Sequence, residues 1–156
     1  YGLYQPEKFG GVAPVSSPPK NYTFLEPYRD MPAGEFRARA LADHQAFPTA
    51  YGDPKSGIKL KEINMVTKYA SVGAFLDSYE HTWDRFKEVA AAGRLPKIYL
   101  PCGTEDRMYP KVLQFQHYAG KLSATGIAFD FIPGGGGGFG FCDAILPRLL
   151  DFFEIR

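Results

Sequence analysis

The sequence is poor in the residues that most often carry metal or redox chemistry, with two cysteines and three histidines among 156 residues. Cys102 and Cys142 form no disulfide framework, and neither has a Cys or His at ligand spacing beside it, so no metal centre and no cofactor is expected. The two thiols would pair only if their loops met; otherwise they behave as small buried hydrophobes. Charge is equally sparse in information. The net charge is +1, and no block of like charges or basic stripe gives a nucleic-acid footprint. The apolar runs are far shorter than the ~20 residues that span a bilayer. These absences leave a soluble chain, cytoplasmic or secreted, with no nucleic-acid or membrane partner expected.

What is present is a core. Hydrophobic residues make up 45% of the chain and aromatics 15%, which is globular composition, and the length suits a single domain over residues 1–156. Residues 1–9 read as the last turn of a helix running into a turn. A strand follows over residues 11–16, from Gly11 to Ser16, with apolar Val12, Ala13 and Val15. A soluble domain seldom starts in this way, so the amino end is expected to be truncated.

Residues 18–32, rich in Pro and Tyr, read as a surface excursion. A helix is expected over residues 33–45, with Phe36, Ala40, Leu41 and His44 near one face, and a loop over 47–57. Residues 58–73 are ambiguous, because Ile63, Val66, Tyr69 and Val72 fit a helix while Lys59, Lys61 and Lys68 keep it solvated. Residues 74–92 predict one helix with a stripe of Phe75, Tyr79, Trp83, Phe86 and Ala90, capped by Gly93. His81 falls off that stripe and is expected to be exposed.

The chemistry concentrates in residues 97–143. An apolar run at Ile98, Tyr99 and Leu100 ends in Pro101-Cys102-Gly103-Thr104-Glu105-Asp106. A helix over 109–123, with Val112, Phe115, Gln116, Ala119 and Leu122 inward and His117 on its flank, leads to a second apolar run over 127–132. That run ends in Pro133 and five glycines, Gly134 to Gly138, before a closing helix over 141–153 that contains Pro147 and should be kinked or start late. Short apolar runs bounded by Gly and Pro, with helices between them, read as parallel strands buried on both faces. In such sheets functional groups sit beyond the carboxyl ends of the strands, so Asp106 and the glycine run are expected on one edge.

Three segments carry a family resemblance. They are residues 4–16 (Tyr-Gln-Pro-Glu-Lys-Phe-Gly-Gly-Val-Ala-Pro-Val-Ser), residues 95–106 ending in Cys102-Gly103-Thr104-Glu105-Asp106, and residues 133–143, from Pro133 through the glycines to Phe141-Cys142-Asp143. In order and spacing they resemble the carboxyl-terminal portion of an α/β-hydrolase of the esterase D type, the group of S-formylglutathione hydrolases, acetyl and feruloyl esterases and mycolyltransferases. The resemblance implies an α/β fold of parallel strands with crossover helices, and Asp106 as the acid of a Ser-His-acid triad. It places the family's histidine at Gly137. The family's nucleophile elbow, Gly-x-Ser-x-Gly, would precede Tyr1 and is not in the chain. Tyr69-Ala-Ser71-Val-Gly73 imitates it without the first glycine or a preceding strand, and Ser16 and Ser17 lack glycine framing.

Two functions follow. The chain is the acid-bearing part of a serine carboxylesterase or thioesterase for small acyl esters, its strand at residues 11–16 covered by an absent amino-terminal segment or another chain. Alternatively it is a non-catalytic binding or assembly protein descended from that fold. A phosphate cradle at Gly134 to Gly138 is a weaker reading, because no Lys-Ser/Thr follows it. For Asp106 the structural alternative is a cap on the helix that begins near Tyr109.

Overall fold

The computed structural model describes residues 1–49, 53–122, 126–136 and 139–155, with the backbone alone for 48, 49, 53–56, 139 and 140. Along the chain run β1 (Gly11–Val12), α1 (Ala33–Ala42), β2 (Pro48–Thr49), β3 (Asp53–Gly57), α2 (Leu60–Val66), α3 (Val72–Leu76), α4 (Trp83–Ala91), β4 (Lys97–Gly103), α5 (Tyr109–Lys121), β5 (Ile127–Ile132) and α6 (Phe139–Phe152). Packing divides it into two compact units, one of Tyr1–Pro18 with Arg85–Arg156 and one of Pro19–Asp84. The second is an insertion, in sequence, between β1 and most of α4.

The first unit is built on a parallel sheet of order β1-β4-β5. Gly11 and Val12 pair with Lys97 and Ile98, and β4 pairs with β5 from Ile98 opposite Ile127 to Gly103 opposite Ile132. The expected parallel arrangement of the three strands is what the chain adopts. Central β4 is buried from Ile98 onward, which explains its unbroken apolar run. In contrast to the expected burial on both faces, β5 is half-buried throughout, because it is the edge of the described sheet. β1 is only two residues long, where six were expected. Pro14 has no N–H to give a ladder, and Ser16 turns out of it with φ 47°.

α5 buries Val112, Phe115 and Ala119 at spacings of three and four, and Phe115 meets Phe86 of α4 and Phe129 of β5. Gln116, expected inward, is exposed. α6 starts at Phe139, not late, and runs through Pro147; it buries Phe141 and Ile145 and leaves Leu146 exposed. Its carboxyl end lies so close to β1 that a Cβ on Gly11 would stand 2.1 Å from the Phe153 ring. The amino end is a turn and a short 3-10 helix, Pro6–Lys8, rather than the end of an α-helix. Arg85 Nε holds this segment by donating to the Leu3 carbonyl at 2.8 Å. Gly93, at φ +63°, ends α4 as expected.

The second unit packs short helices and the antiparallel pair β2-β3 around its own aromatic core. Phe36 meets Phe47 at 5.2 Å and Tyr22 meets Phe75 at 4.9 Å between ring centroids. Burying side chains of this size stabilises by about 1.5–3 kcal/mol each. Four sequence expectations change here. The stretch 18–32 is no mere surface excursion, since a 3-10 helix at Thr23–Tyr28 buries Leu25, with Tyr22 just before it. The helix expected to 45 stops at Ala42, because the Asp43 carboxylate takes the N–H groups of Gln45 and Ala46 and starts a 3-10 turn. Leu41, though within α1, is exposed, and His44 is a surface histidine just beyond it, in keeping with a helix-surface or cap position beside Pro48. The expected loop at 47–57 contains β2 and β3.

The helix expected over 74–92 is two helices. Ser78 Oγ donates back to the Phe75 carbonyl at 2.6 Å and accepts the Glu80 N–H at 3.2 Å, a local alternative to helix bonding that breaks the run after α3. Tyr79 consequently points into solvent, while His81 is 4% exposed rather than solvated. Among the described residues no helix is long and apolar enough to cross a membrane.

Candidate active-site edge

The carboxyl ends of β4 and β5 are fastened to one another. The Thr104 N–H donates to the Ile132 carbonyl at 3.0 Å, the Glu105 N–H to the Gly135 carbonyl at 3.1 Å, and the Gly134 N–H to Thr104 Oγ1 at 3.1 Å. The contact is close enough that a Cβ on Gly103 would lie 1.8 Å from the Gly135 oxygen, so glycine is required there by the approach of the backbone. The loop bearing Asp106 and the start of the glycine run, through Gly136, thus leave the sheet side by side. Gly137 and Gly138 lie outside the described residues.

Asp106 is half-buried at the start of the β4–α5 loop. Its Oδ1 accepts the Met108 N–H at 2.8 Å and its carbonyl accepts the Tyr109 N–H at 2.9 Å. The carboxylate therefore shapes the turn ahead of α5 with one oxygen, although the helix's cap position is Met108 rather than Asp106, and no described residue bonds its other oxygen. Below it, Cys102 is fully buried at the end of β4. Burial raises the thiol's pKa and the Asp106 charge adds to this, against an opposing pull from Ser16, so Cys102 stays a protonated thiol rather than a nucleophile. Both cysteines are free, Cys102 buried and Cys142 exposed, in place of two buried thiols.

Ser16 reaches the same edge from β1. Its N–H donates to the Pro101 carbonyl at 2.9 Å, and its left-handed backbone turns Oγ inward toward Cys102. That oxygen is buried beside the thiol without a hydrogen bond of good geometry among the described residues. Ser71 serves as a cap, accepting the Ala74 N–H at 3.1 Å on α3. His117 stands exposed on α5, eight residues or about 12 Å of helix beyond Tyr109. Sequence reasoning named Asp106 and the glycine run but missed Thr104, whose only signal is a hydroxyl directly after the strand's last glycine.

No family model matches the chain, and no curated protein matches it. Among solved structures the chain is similar to FphF, a fluorophosphonate-binding serine hydrolase F of Staphylococcus aureus in a substrate-bound form, with a TM-score of 0.56 and 18% identity. The match covers 99% of this chain and 48% of that one. The chain therefore spans about half the length of the hydrolase it resembles, and what it shares with it is the α/β-hydrolase fold.

Proposed function

We propose that these residues are the acid-bearing portion of a serine-type carboxylesterase or thioesterase of the esterase D type, acting on small acyl esters. The supporting observation is the fastening of the Asp106 loop to the Pro133–Gly136 loop at the carboxyl edge of a parallel sheet, where this fold collects its catalytic groups. Asp106 orients and charge-stabilises a histidine through its second oxygen, and the histidine's place in the loop is Gly137. The serine and half of the oxyanion hole come from a segment outside the 156 residues, on a strand seated against β1.

A protein that joins these residues to such a segment provides the test. With Gly137 in place, hydrolysis of an acetyl, feruloyl or S-formylglutathione ester should be slow; Gly137→His should raise it by about 10² to 10⁴. Asp106→Asn on that background should remove the gain. A gain that survives Asp106→Asn refutes the acid role.

A second reading, a non-catalytic binding or assembly protein of the same fold, is favoured by glycine at the base position. It is supported if Gly137→His brings no hydrolysis in the joined protein and no fluorophosphonate label on its serine.

A further inference from the structure

The inserted unit Pro19–Asp84 is stitched shut where its chain enters and leaves. The Lys20 carbonyl accepts the N–H groups of Thr82 and Trp83 at 3.1 and 3.0 Å, and the Lys20 N–H donates to Thr82 Oγ1 at 2.8 Å. Lys20 Nζ meets Glu80 Oε2 at 2.5 Å. The innermost stitch is His81, whose Nδ1 accepts the backbone N–H of Tyr22 at 2.9 Å while Nε2 faces Asp84 Oδ2 at 3.2 Å.

These contacts fix the imidazole. A peptide N–H only donates, so Nδ1 must carry a lone pair; the ring proton then sits on Nε2 and donates to Asp84. Both ring nitrogens are occupied, so a proton can be gained only by giving up a hydrogen bond. A second proton could go only on Nδ1, where it would point at the Tyr22 N–H. We propose that His81 is a pH-sensitive latch on the neck of the inserted unit, holding Lys20–Tyr22 against Glu80–Asp84 when neutral and releasing it when protonated.

The charges around the ring decide the direction. Asp84 attracts the imidazolium, but its side chain is 47% exposed and solvent screens part of that pull, while the ring, 2% exposed, would have to carry its charge away from water. Glu80 is already engaged by Lys20, whose own charge opposes a second cation nearby. Tyr22, its ring 6.2 Å from the imidazole, remains a neutral phenol because burial raises its pKa, with Glu62 and Glu80 adding to that. Against these weak terms stands the loss of a buried hydrogen bond and the facing of two N–H groups, so protonation opens the latch.

Amide exchange in the intact protein tests the latch. On lowering the pH from about 7.5 to about 5, the Tyr22 protection factor should fall by about tenfold, while that of Leu100 in β4 holds. His81→Gln, whose amide oxygen can accept from Tyr22 without titrating, should remove the pH dependence; His44→Gln should preserve it. In the unaltered protein, the imidazole nitrogen signals should show Nδ1 unprotonated at the upper pH and protonated at the lower. A Tyr22 protection factor that does not change with pH, or a protonated Nδ1 at the upper pH, overturns the proposal.

Discussion

Thr104 and Gly134 face each other across the carboxyl edge of the sheet, the hydroxyl of the first receiving the N–H of the second at 3.1 Å. The bond joins the strand that delivers Asp106 to the loop that leads into the glycines. Thr104→Val keeps the shape but removes the acceptor, leaving the exposed Gly134 N–H to water, and should cost about 0.5–1.5 kcal/mol in denaturant unfolding. Thr104→Ser should cost little, because the acceptor survives.

Gly103→Ala should be among the most damaging small substitutions in the chain. The new methyl would meet the Gly135 backbone oxygen, which cannot swing aside as a flexible side chain would, and the expected loss is about 1–3 kcal/mol. Gly136→Ala, where no described residue stands within 4 Å of an added Cβ, should be near neutral in the same unfolding measurement.

Asp130 gives the first unit an acid-sensitive element. Burial alone would raise its pKa, but hydrogen bonds from Tyr99 and Arg148 outweigh this and hold it below the ordinary aspartate value. Tyr99 donates to Oδ2, and Arg148 Nη1 reaches both carboxylate oxygens at 2.9 and 3.0 Å. A depressed folded-state pKa stabilises above the unfolded value, near pH ~4. That contribution is lost as the pH falls from there through the folded value. Asp130→Asn should remove this part of the acid dependence, and Tyr99→Phe should move the Asp130 carboxyl titration upward by NMR.

β1 has a strand on one side only among the described residues, and no Lys or Arg lies within residues 10–16 to discourage pairing on the other. The 156 residues expressed alone should therefore self-associate or precipitate. Sedimentation showing a strictly monomeric, cooperatively folding species would contradict this. The same preparation should not hydrolyse an acetyl ester, and Gly137→His without the serine segment should not change that.

The parts of the fold legible in the sequence are those where one physical demand dominates. β4 and β5 announced themselves by apolar runs between Gly and Pro, and α5 by Val112, Phe115 and Ala119. The inserted unit was harder to read because its helices are short and are stopped by side chains, Asp43 and Ser78, that compete for backbone groups. An aromatic stripe from Phe75 to Ala90 fits a helical period whether or not a break intervenes, so Tyr79 was placed inward when it faces water. The burial of His81 contradicts its place off the stripe, because the ring is held by one backbone N–H from Tyr22, a partner that no local pattern reveals. Asp106 was legible as a loop acid after a buried strand; the Thr104 clamp depends on register between two loops, which no single sequence displays.

The meeting of Lys20 with Thr82 and Trp83 has a consequence for how this architecture can vary. A segment whose two ends touch is a closed loop, and the entropy of closing such a loop grows only with the logarithm of its length, about 0.6 kcal/mol for each doubling. Lengthening or shortening the stretch between Lys20 and Thr82 would thus burden the parallel sheet very little, provided the stitched ends are kept. New sequence is therefore accommodated between the stitched ends and not at them.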